Sequence, residues 1–319
     1  MPIRQPIKLI NKTSVEHTEV LSLRMSLFKN YLSLVKFAHT IFALPFALVG
    51  FFLGIKTLKS ESGGAEIDLE FYIFSLVFVL LCMVFARSAA MAFNRYLDRH
   101  FDAKNPRTVI REIPAGILSA NQVLWFTIIM SALFMLSAWM INAICFALSP
   151  VALLVILGYS YTKRFTALCH LVLGLALSLA PTGAYLAMTG YFSVEPVVLS
   201  FAVLFWVAGF DIIYALQDES FDKEHGLKSI PVILGGGAAL KLSRIFHLIT
   251  AALLITLGWL AGGGHYYIIG TVLFIGLLTY QHALVKPNDL RKVNMAFFTT
   301  NGIASIVFGV FTIVDLLIS

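Results

Sequence analysis

Charged residues are scarce in this chain. Only 13% of its 319 residues are Asp, Glu, Lys or Arg, and 59% are hydrophobic, whereas a soluble domain usually carries about 25% charge. The few charges lie in short segments between long apolar runs. This composition excludes an ordinary water-soluble domain and indicates that a lipid bilayer is the solvent.

Cysteine and processing signals are also nearly absent. Cys82, Cys145 and Cys169 stand singly in apolar surroundings, which excludes a disulfide framework and a zinc site. The first 33 residues are polar and basic, without an apolar stretch that ends in a small-residue cleavage site. We therefore expect no cleaved signal peptide, so that insertion begins with the first spanning helix.

Nine apolar runs predict nine transmembrane helices, because about 20 apolar residues cross a hydrocarbon core. They lie near 34–55, 71–93, 123–142, 145–162, 166–189, 197–216, 245–261, 266–285 and 295–318. Asn142 and the Ser149-Pro150 pair indicate a tight turn between the third and fourth runs. The predicted fold class is all-α, a polytopic membrane helix bundle in which residues 34–319 form one domain after an N-terminal segment of residues 1–33.

The distribution of basic residues predicts the orientation of this bundle. Every Lys and Arg except Lys56 and Lys59 lies in the N-terminal segment, in 94–122, 163–165, 217–244 or 286–294, or at the adjoining helix ends. Basic residues mark the cytoplasmic side of a membrane protein. We expect a cytoplasmic N-terminus in the cell inner (plasma) membrane, and the net charge of +6 then needs no nucleic-acid partner.

The segment after the second run contains a periodic polar triplet. Asn94, Asp98 and Asp102 recur every four residues and would share one face of a helix. Carboxylate and amide oxygens are hard ligands of the kind that Mg²⁺ takes together with substrate phosphates. A solvated helix end, with Arg95 and Arg99 as ion-pair partners, explains the triplet alone about equally well.

A second acidic face follows the sixth run. Asp211, Asp218 and Asp222 are spaced i, i+7 and i+11, again near one helical face. Asp211 follows an apolar run, and a carboxylate at membrane depth indicates a functional site. Two such faces at one membrane surface predict paired magnesium sites that bridge one diphosphate.

Further polar residues are expected on the same surface. Tyr159 and Lys163 end the fourth helix, Arg87 lies on the second, and Lys36 begins the first. Cations of this kind can neutralise phosphate or carboxylate oxygens, although each alone, like Arg107 and Lys228, is more often a membrane-surface anchor. Four histidines without ligand spacing are interpreted as loop or packing residues: His39, His100, His170 and His225.

These motifs resemble those of the UbiA superfamily of intramembrane aromatic prenyltransferases, over nearly the whole chain. The first family motif, NDxxDxxxD, appears as NRYLDRHFD, with Arg95 in place of an aspartate; DxxxDxxxG appears as DESFDKEHG and YxxxK as YSYTK. The resemblance implies metal-linked roles for the motif residues, which are Asn94, Asp98, Asp102, Asp218 and Asp222. It implies diphosphate binding for Tyr159 and Lys163, and a conserved site arginine at Arg87.

The resemblance extends to one branch, which transfers polyprenyl chains to 4-hydroxybenzoate in respiratory quinone synthesis. It implies Mg²⁺ as cofactor and a polyprenyl diphosphate and a hydroxyaryl carboxylate as substrates, the latter 4-hydroxybenzoate or 1,4-dihydroxy-6-naphthoate, on the way to ubiquinone or menaquinone. Lys163 would stabilise the leaving diphosphate, and Asp211 is a candidate for the base.

Two alternatives stay open at this point. One is another UbiA-type prenyltransferase with a haem or chlorophyll acceptor, which would share the metal motifs. The other is a cation-coupled transporter, since intramembrane acids also mark ion pathways. Acids gathered at one surface disfavour the transporter, because transporter sites usually lie near the bilayer midplane.

Overall fold

A computed structural model describes Tyr31, Leu34 and residues 42–63 and 68–318, and all the long secondary-structure elements in this part are helices. Nine long helices lie within this part: α1 (Leu44–Glu61), α2 (Leu69–Asp102), α3 (Ala120–Ile141), α4 (Ala143–Thr162), α5 (Cys169–Thr189), α6 (Val194–Ala215), α7 (Ile230–Ala261), α8 (His265–Leu284) and α9 (Asn301–Ile318). Eight of them, α2 to α9, are long and apolar enough to cross a membrane. The predicted all-α class is confirmed; the N-terminal segment and Lys36 lie outside the described residues.

The third and fourth helices form a hairpin with a sharp turn at Asn142. Its backbone is extended, with a φ of −166°, and its side chain accepts a hydrogen bond from the Cys145 backbone N–H at 2.9 Å. The Asn142 amide also donates to the carbonyl of Leu186 on α5 at 2.8 Å. The predicted turn is therefore at Asn142, whereas Pro150 lies inside α4.

Two helices extend beyond their predicted limits. Helix α2 runs for 34 residues as far as Asp102, so the first aspartate motif is on the spanning helix and not in a loop that begins at residue 94. Helix α7 begins at Ile230 instead of near residue 245 and is interrupted at Gly235, whose φ is +76°. Ser229 caps α7 and Pro231 occupies its first turn, both of which favour a helix start.

Small residues bring the central helices into close contact. A Cβ at Gly50 of α1 would lie 2.1 Å from the carbonyl oxygen of Pro181 on α5, and one at Gly174 of α5 would lie 2.3 Å from that of Leu204 on α6. Lipid tails are as apolar as the side chains, so membrane helices associate through such close packing. Buried aromatic rings fill the adjacent core, including Phe46, Trp206 and Phe308.

Candidate active site

Both aspartate motifs line one cavity of about 310 Å³ at one end of the bundle. Its walls come from α2, the α2–α3 loop, the end of α4, the α4–α5 turn, α5 and α6, with further side chains from the segments that follow α6. All the site residues that the sequence predicts within the described part line it: Arg87, Asn94, Asp98, Asp102, Tyr159, Lys163, Asp211, Asp218 and Asp222. Segments far apart in the chain thus form a single polar site.

The first motif lies on the last turns of α2. The Asn94 amide donates to Asp98 Oδ2 at 2.9 Å, as expected for residues one helical turn apart. Asp98 Oδ1 accepts from Arg164 Nη2 at 3.1 Å, and Asp102 Oδ1 accepts from Arg111 Nη1 at 2.6 Å. Both carboxylates therefore have a cationic partner from another segment.

The second motif follows α6 across a break in the helix. A 3₁₀ turn at Leu216–Asp218 separates α6 from a short helix at Glu219–Glu224, so the motif does not continue α6 as one regular helix. Arg107 contacts both carboxylate oxygens of Asp218, with its Nε 3.1 Å from Oδ1. Asp222, whose side chain is 1% exposed, lies 2.7 Å from Lys163 Nζ.

Four carboxylates thus face four cations, one to one. Two of the cations come from the α2–α3 loop and two from the α4–α5 turn. Burial acts to lower the pKa of Arg107, but Asp218 and Tyr214 outweigh burial and raise that pKa above its usual value. The charged groups of the site are therefore nearly balanced.

Arg95 and Arg99, the ion-pair partners named in the helix-end alternative, do not pair with the aspartates of the first motif. Arg95 pairs with Glu112 of the α2–α3 loop at 3.5 Å, and both side chains are buried. Arg99 donates to the Tyr96 carbonyl and lies over the Tyr96 ring. The true partners, Arg111 and Arg164, were missed because they are distant along the chain; only their position in the most basic loops could have indicated them.

Asp211 contacts a histidine that was interpreted as a packing residue. His170 Nδ1 lies 2.6 Å from Asp211 Oδ2, and the His170 side chain is 3% exposed. Both residues line the cavity. A histidine two residues into an apolar helix was the only sequence signal, and it did not indicate a partner on α6.

A second, apolar cavity of about 370 Å³ adjoins the polar one among helices α2 to α5. Arg87 and Tyr159 line both cavities. The Nε atom of Arg87 is buried, and none of the described residues accepts a hydrogen bond from it. The boundary between the cavities thus has an arginine available to an anionic group.

The residues of the polar cavity suit a magnesium ion with a phosphate ligand. Among the described residues, no three His, Cys, Asp or Glu side chains are close enough to hold a metal by themselves. Mg²⁺ usually needs only one or two carboxylates, with waters and substrate phosphates completing its shell. Asp102 Oδ2 is buried without a hydrogen-bond partner among the described residues, so an oxygen ligand is available.

Comparison with known proteins identifies the family. The model of the UbiA prenyltransferase family matches residues 43–303. The chain belongs to this family. The comparisons confirm the predicted prenyltransferase class and do not favour the haem, chlorophyll or transporter alternatives.

Similar proteins extend over most of the chain. The 4-hydroxybenzoate octaprenyltransferase of Tolumonas auensis is 33% identical over 74% of this chain and 82% of its own. That of Vibrio cholerae is 31% identical over 71% and 79%. An apo UbiA homologue from Aeropyrum pernix K1 superposes with a TM-score of 0.76 at 32% identity, covering 87% of this chain and 98% of its own.

A more distant solved structure shares the fold. The UbiA homologue from Archaeoglobus fulgidus bound to DMAPP and Mg²⁺ has a TM-score of 0.66 and 23% identity, over 91% of this chain and 100% of its own. Together with the eight candidate spans and the more similar relatives, this likeness shows that the chain is a multi-pass membrane protein with the UbiA fold.

Proposed function

We propose that this protein transfers a polyprenyl group from polyprenyl diphosphate to the ring of 4-hydroxybenzoate, in the synthesis of a respiratory quinone such as ubiquinone. The observation that carries the proposal is the junction of a charged cavity with an apolar cavity, with Arg87 and Tyr159 at the boundary. The names of the bacterial relatives support this acceptor. We further propose that the polar cavity opens to the cytoplasm in the bacterial inner membrane.

Diphosphate binding would require the site's ion pairs to exchange partners. Asn94 and the four motif aspartates would hold Mg²⁺, which when bound supplies positive charge that neutralises the diphosphate. The cations that now contact these carboxylates would turn to phosphate oxygens, foremost Lys163 beside Asp222. Tyr159, which lines the cavity, would donate a hydrogen bond to the diphosphate, and Lys36 stays a predicted substrate-binding residue.

Chemistry then follows from charge stabilisation and the exclusion of water. The C1–O bond of the allylic diphosphate breaks, its electron pair leaves with the diphosphate, and Lys163 with the neighbouring arginines stabilises the departing anion. The ring carbon ortho to the acceptor hydroxyl attacks C1. Asp211, which lines the cavity, takes the ring proton and restores aromaticity, while the apolar cavity shields the polyprenyl chain.

The acceptor's carboxylate would be bound by Arg87. A buried guanidinium needs a partner, and a carboxylate offers the planar, bidentate contact that matches it. Both 4-hydroxybenzoate and 1,4-dihydroxy-6-naphthoate carry this group, so the contact selects a class of acceptor. The names of the relatives favour the benzoate.

The test is a transfer assay with purified protein in lipid nanodiscs. Labelled octaprenyl diphosphate is supplied with 4-hydroxybenzoate, with 1,4-dihydroxy-6-naphthoate, or with either acceptor lacking its carboxylate, and products are identified by mass spectrometry. We expect prenylated 4-hydroxybenzoate that depends on Mg²⁺. Transfer to the naphthoate alone would contradict 4-hydroxybenzoate as the acceptor. No transfer to any acceptor would contradict the proposed prenyltransferase activity.

A further inference from the structure

We propose that His170 is a positioning residue that orients Asp211 for removal of the ring proton, an inference that rests on the proposed function. His170 is on the first turn of α5, and Asp211 is on the last turns of α6. Their contact joins two spanning helices at the wall of the polar cavity. Among the described residues, no other group forms a hydrogen bond or an ion pair with the Asp211 carboxylate.

The hydrogen bonds of His170 determine its tautomer. The Ile230 backbone nitrogen lies 3.3 Å from His170 Nε2, and a backbone N–H can only donate. Nε2 must therefore be unprotonated, and the single ring proton is on Nδ1. His170 is neutral in this arrangement and donates from Nδ1 to Asp211 Oδ2 at 2.6 Å.

This arrangement leaves one carboxylate oxygen of Asp211 for chemistry. Oδ2 is held by His170, whereas Oδ1 has no hydrogen bond with the described residues and the side chain is 21% exposed at the cavity. His170 already carries its proton on Nδ1, and Nε2 is occupied by Ile230. It therefore cannot accept the ring proton itself, and its effect on the reaction is through the orientation of Asp211.

The same contacts connect Asp211 to the second aspartate motif. Ile230 begins α7, and the preceding segment is bound to the α4–α5 turn: the Lys228 N–H donates to the Lys163 carbonyl at 2.7 Å. The Cys169 thiol donates to the Lys228 carbonyl at 3.6 Å. The His170 ring thus contacts both Asp211 and the backbone that follows the second aspartate motif, which connects the base to the segment beside the diphosphate site.

Two substitutions of His170 separate positioning from packing. His170→Asn places an amide N–H near the position of Nδ1, whereas His170→Leu fills space without a donor. A matched control is His265→Leu, because His265 is exposed at the first residue of α8 and lines neither cavity. Thermal unfolding in detergent identifies any variant that fails to fold, and His170→Asn then serves as the test.

The readout is the isotope effect of an acceptor deuterated at the ring carbon ortho to its hydroxyl. A misplaced base makes proton removal slow, and positioned proton transfer contributes about 10²- to 10⁴-fold to a rate. We expect His170→Leu to lower kcat by about 10²-fold and to reveal a primary isotope effect on kcat, with both KM values nearly unchanged. His170→Asn should recover most of the rate, and Asp211→Asn should show the same isotope effect as His170→Leu.

Three outcomes would overturn the inference without affecting the proposed function, provided the wild-type protein transfers the prenyl group. The first is unchanged turnover in His170→Leu. The second is equal loss in the Leu and Asn variants without an isotope effect, and the third is a raised KM for the diphosphate alone, which would make His170 a loop-docking residue. A wild-type protein without transfer activity would instead contradict the proposed function itself.

Discussion

The motif aspartates carry negative charge at buried or partly buried positions. Asp222 is almost completely buried and Asp98 is partly buried, and each has a cation as its partner. A carboxylate in such a place is retained only where it is paired or binds a ligand. In the proposed reaction the ligand would be the metal–diphosphate complex.

Asp98→Asn and Asp222→Asn should therefore lower turnover by orders of magnitude while the protein still inserts. Asparagine keeps the size and removes the charge, and each 1.36 kcal/mol of lost stabilisation costs about tenfold in rate. Glu224→Gln is the matched control, because Glu224 is an exposed acid on the same short helix as Asp222. Full activity in either asparagine variant, or activity that a chelator leaves unchanged, would contradict the metal site.

Arg87→Lys tests the proposed acceptor contact. A lysine cannot reproduce the bidentate contact with a carboxylate, so we expect a higher KM for 4-hydroxybenzoate and a nearly unchanged KM for the diphosphate. The difference in activity between acceptors with a carboxylate and acceptors without one should become smaller. Arg99→Lys is the control, since Arg99 is on the same helix but outside the cavity; loss of diphosphate or Mg²⁺ affinity would instead place Arg87 in the metal site.

Residues with a local pattern could be predicted, and residues with a distant partner could not. The four-residue spacing of Asn94, Asp98 and Asp102 identified one helical face because helix geometry is local. The partners Arg164 and His170 act across 66 and 41 positions of the chain. Only tertiary structure brings such residues together, and pairs that are distant along the chain leave no regular spacing in a single sequence.

At the scale of elements, the apolar runs predicted where helices occur more accurately than they predicted the residues at which the helices begin and end. Helix α2 continues as far as Asp102 because its polar end packs against the α2–α3 loop through Arg95 and Glu112. Helix α7 begins in a glycine-rich segment that its sequence indicates to be a loop. In both cases the tertiary context outweighs local propensity.

The Arg95–Glu112 pair should determine whether the α2–α3 loop is ordered. This loop carries Arg107 and Arg111 to the aspartates, and removal of one partner of a buried ion pair costs about 3–5 kcal/mol. We expect Glu112→Gln to raise the KM for the diphosphate several-fold and to speed tryptic cleavage after the exposed Lys104. The charge swap Arg95→Glu with Glu112→Arg should reverse part of both effects.

The control for this prediction is Glu70→Gln, which removes an exposed acid at the start of the same helix. Cleavage after Lys104 and a KM that match those of Glu70→Gln would show that the pair does not order the loop. The comparison of Glu112→Gln with Glu70→Gln also tests the role of Arg95, which stands where the family motif has an aspartate. Where the family resemblance implies an aspartate, this chain has an arginine that pairs with Glu112 of the α2–α3 loop.

At the scale of the whole molecule, the charged site occupies one end of a bundle whose middle is apolar. Both aspartate motifs and their four cations line the polar cavity, while the adjoining cavity is lined mainly by aliphatic side chains from α2 to α5. A diphosphate and its polyprenyl chain need these two environments side by side. The apolar runs predicted nine spans, and the described residues contain nine long helices, eight of which are long and apolar enough to cross a membrane. The runs did not predict which helices would enclose the apolar cavity.

The remaining prediction concerns the side of the membrane that the charged end faces. Loops rich in Lys and Arg stay in the cytoplasm, and the aspartate motifs adjoin such loops at 94–122 and 217–244. Single cysteines can test this in a protein whose three native cysteines are replaced. Lys104 and Lys223 are exposed beside the two motifs, and each is replaced by Cys. Ser62, which is exposed just after the last residue of α1 in the segment predicted to face outward, is the third position.

An impermeant maleimide should label these positions from opposite sides. In intact cells we expect labelling of Ser62→Cys only, and in inverted vesicles labelling of Lys104→Cys and Lys223→Cys only. A reporter fused after Ser319 should be outside, because the nine predicted spans would place the two ends of the chain on opposite sides. Labelling of Lys104→Cys and Lys223→Cys from different sides would separate the two aspartate motifs, and a single diphosphate could then not be bound by both.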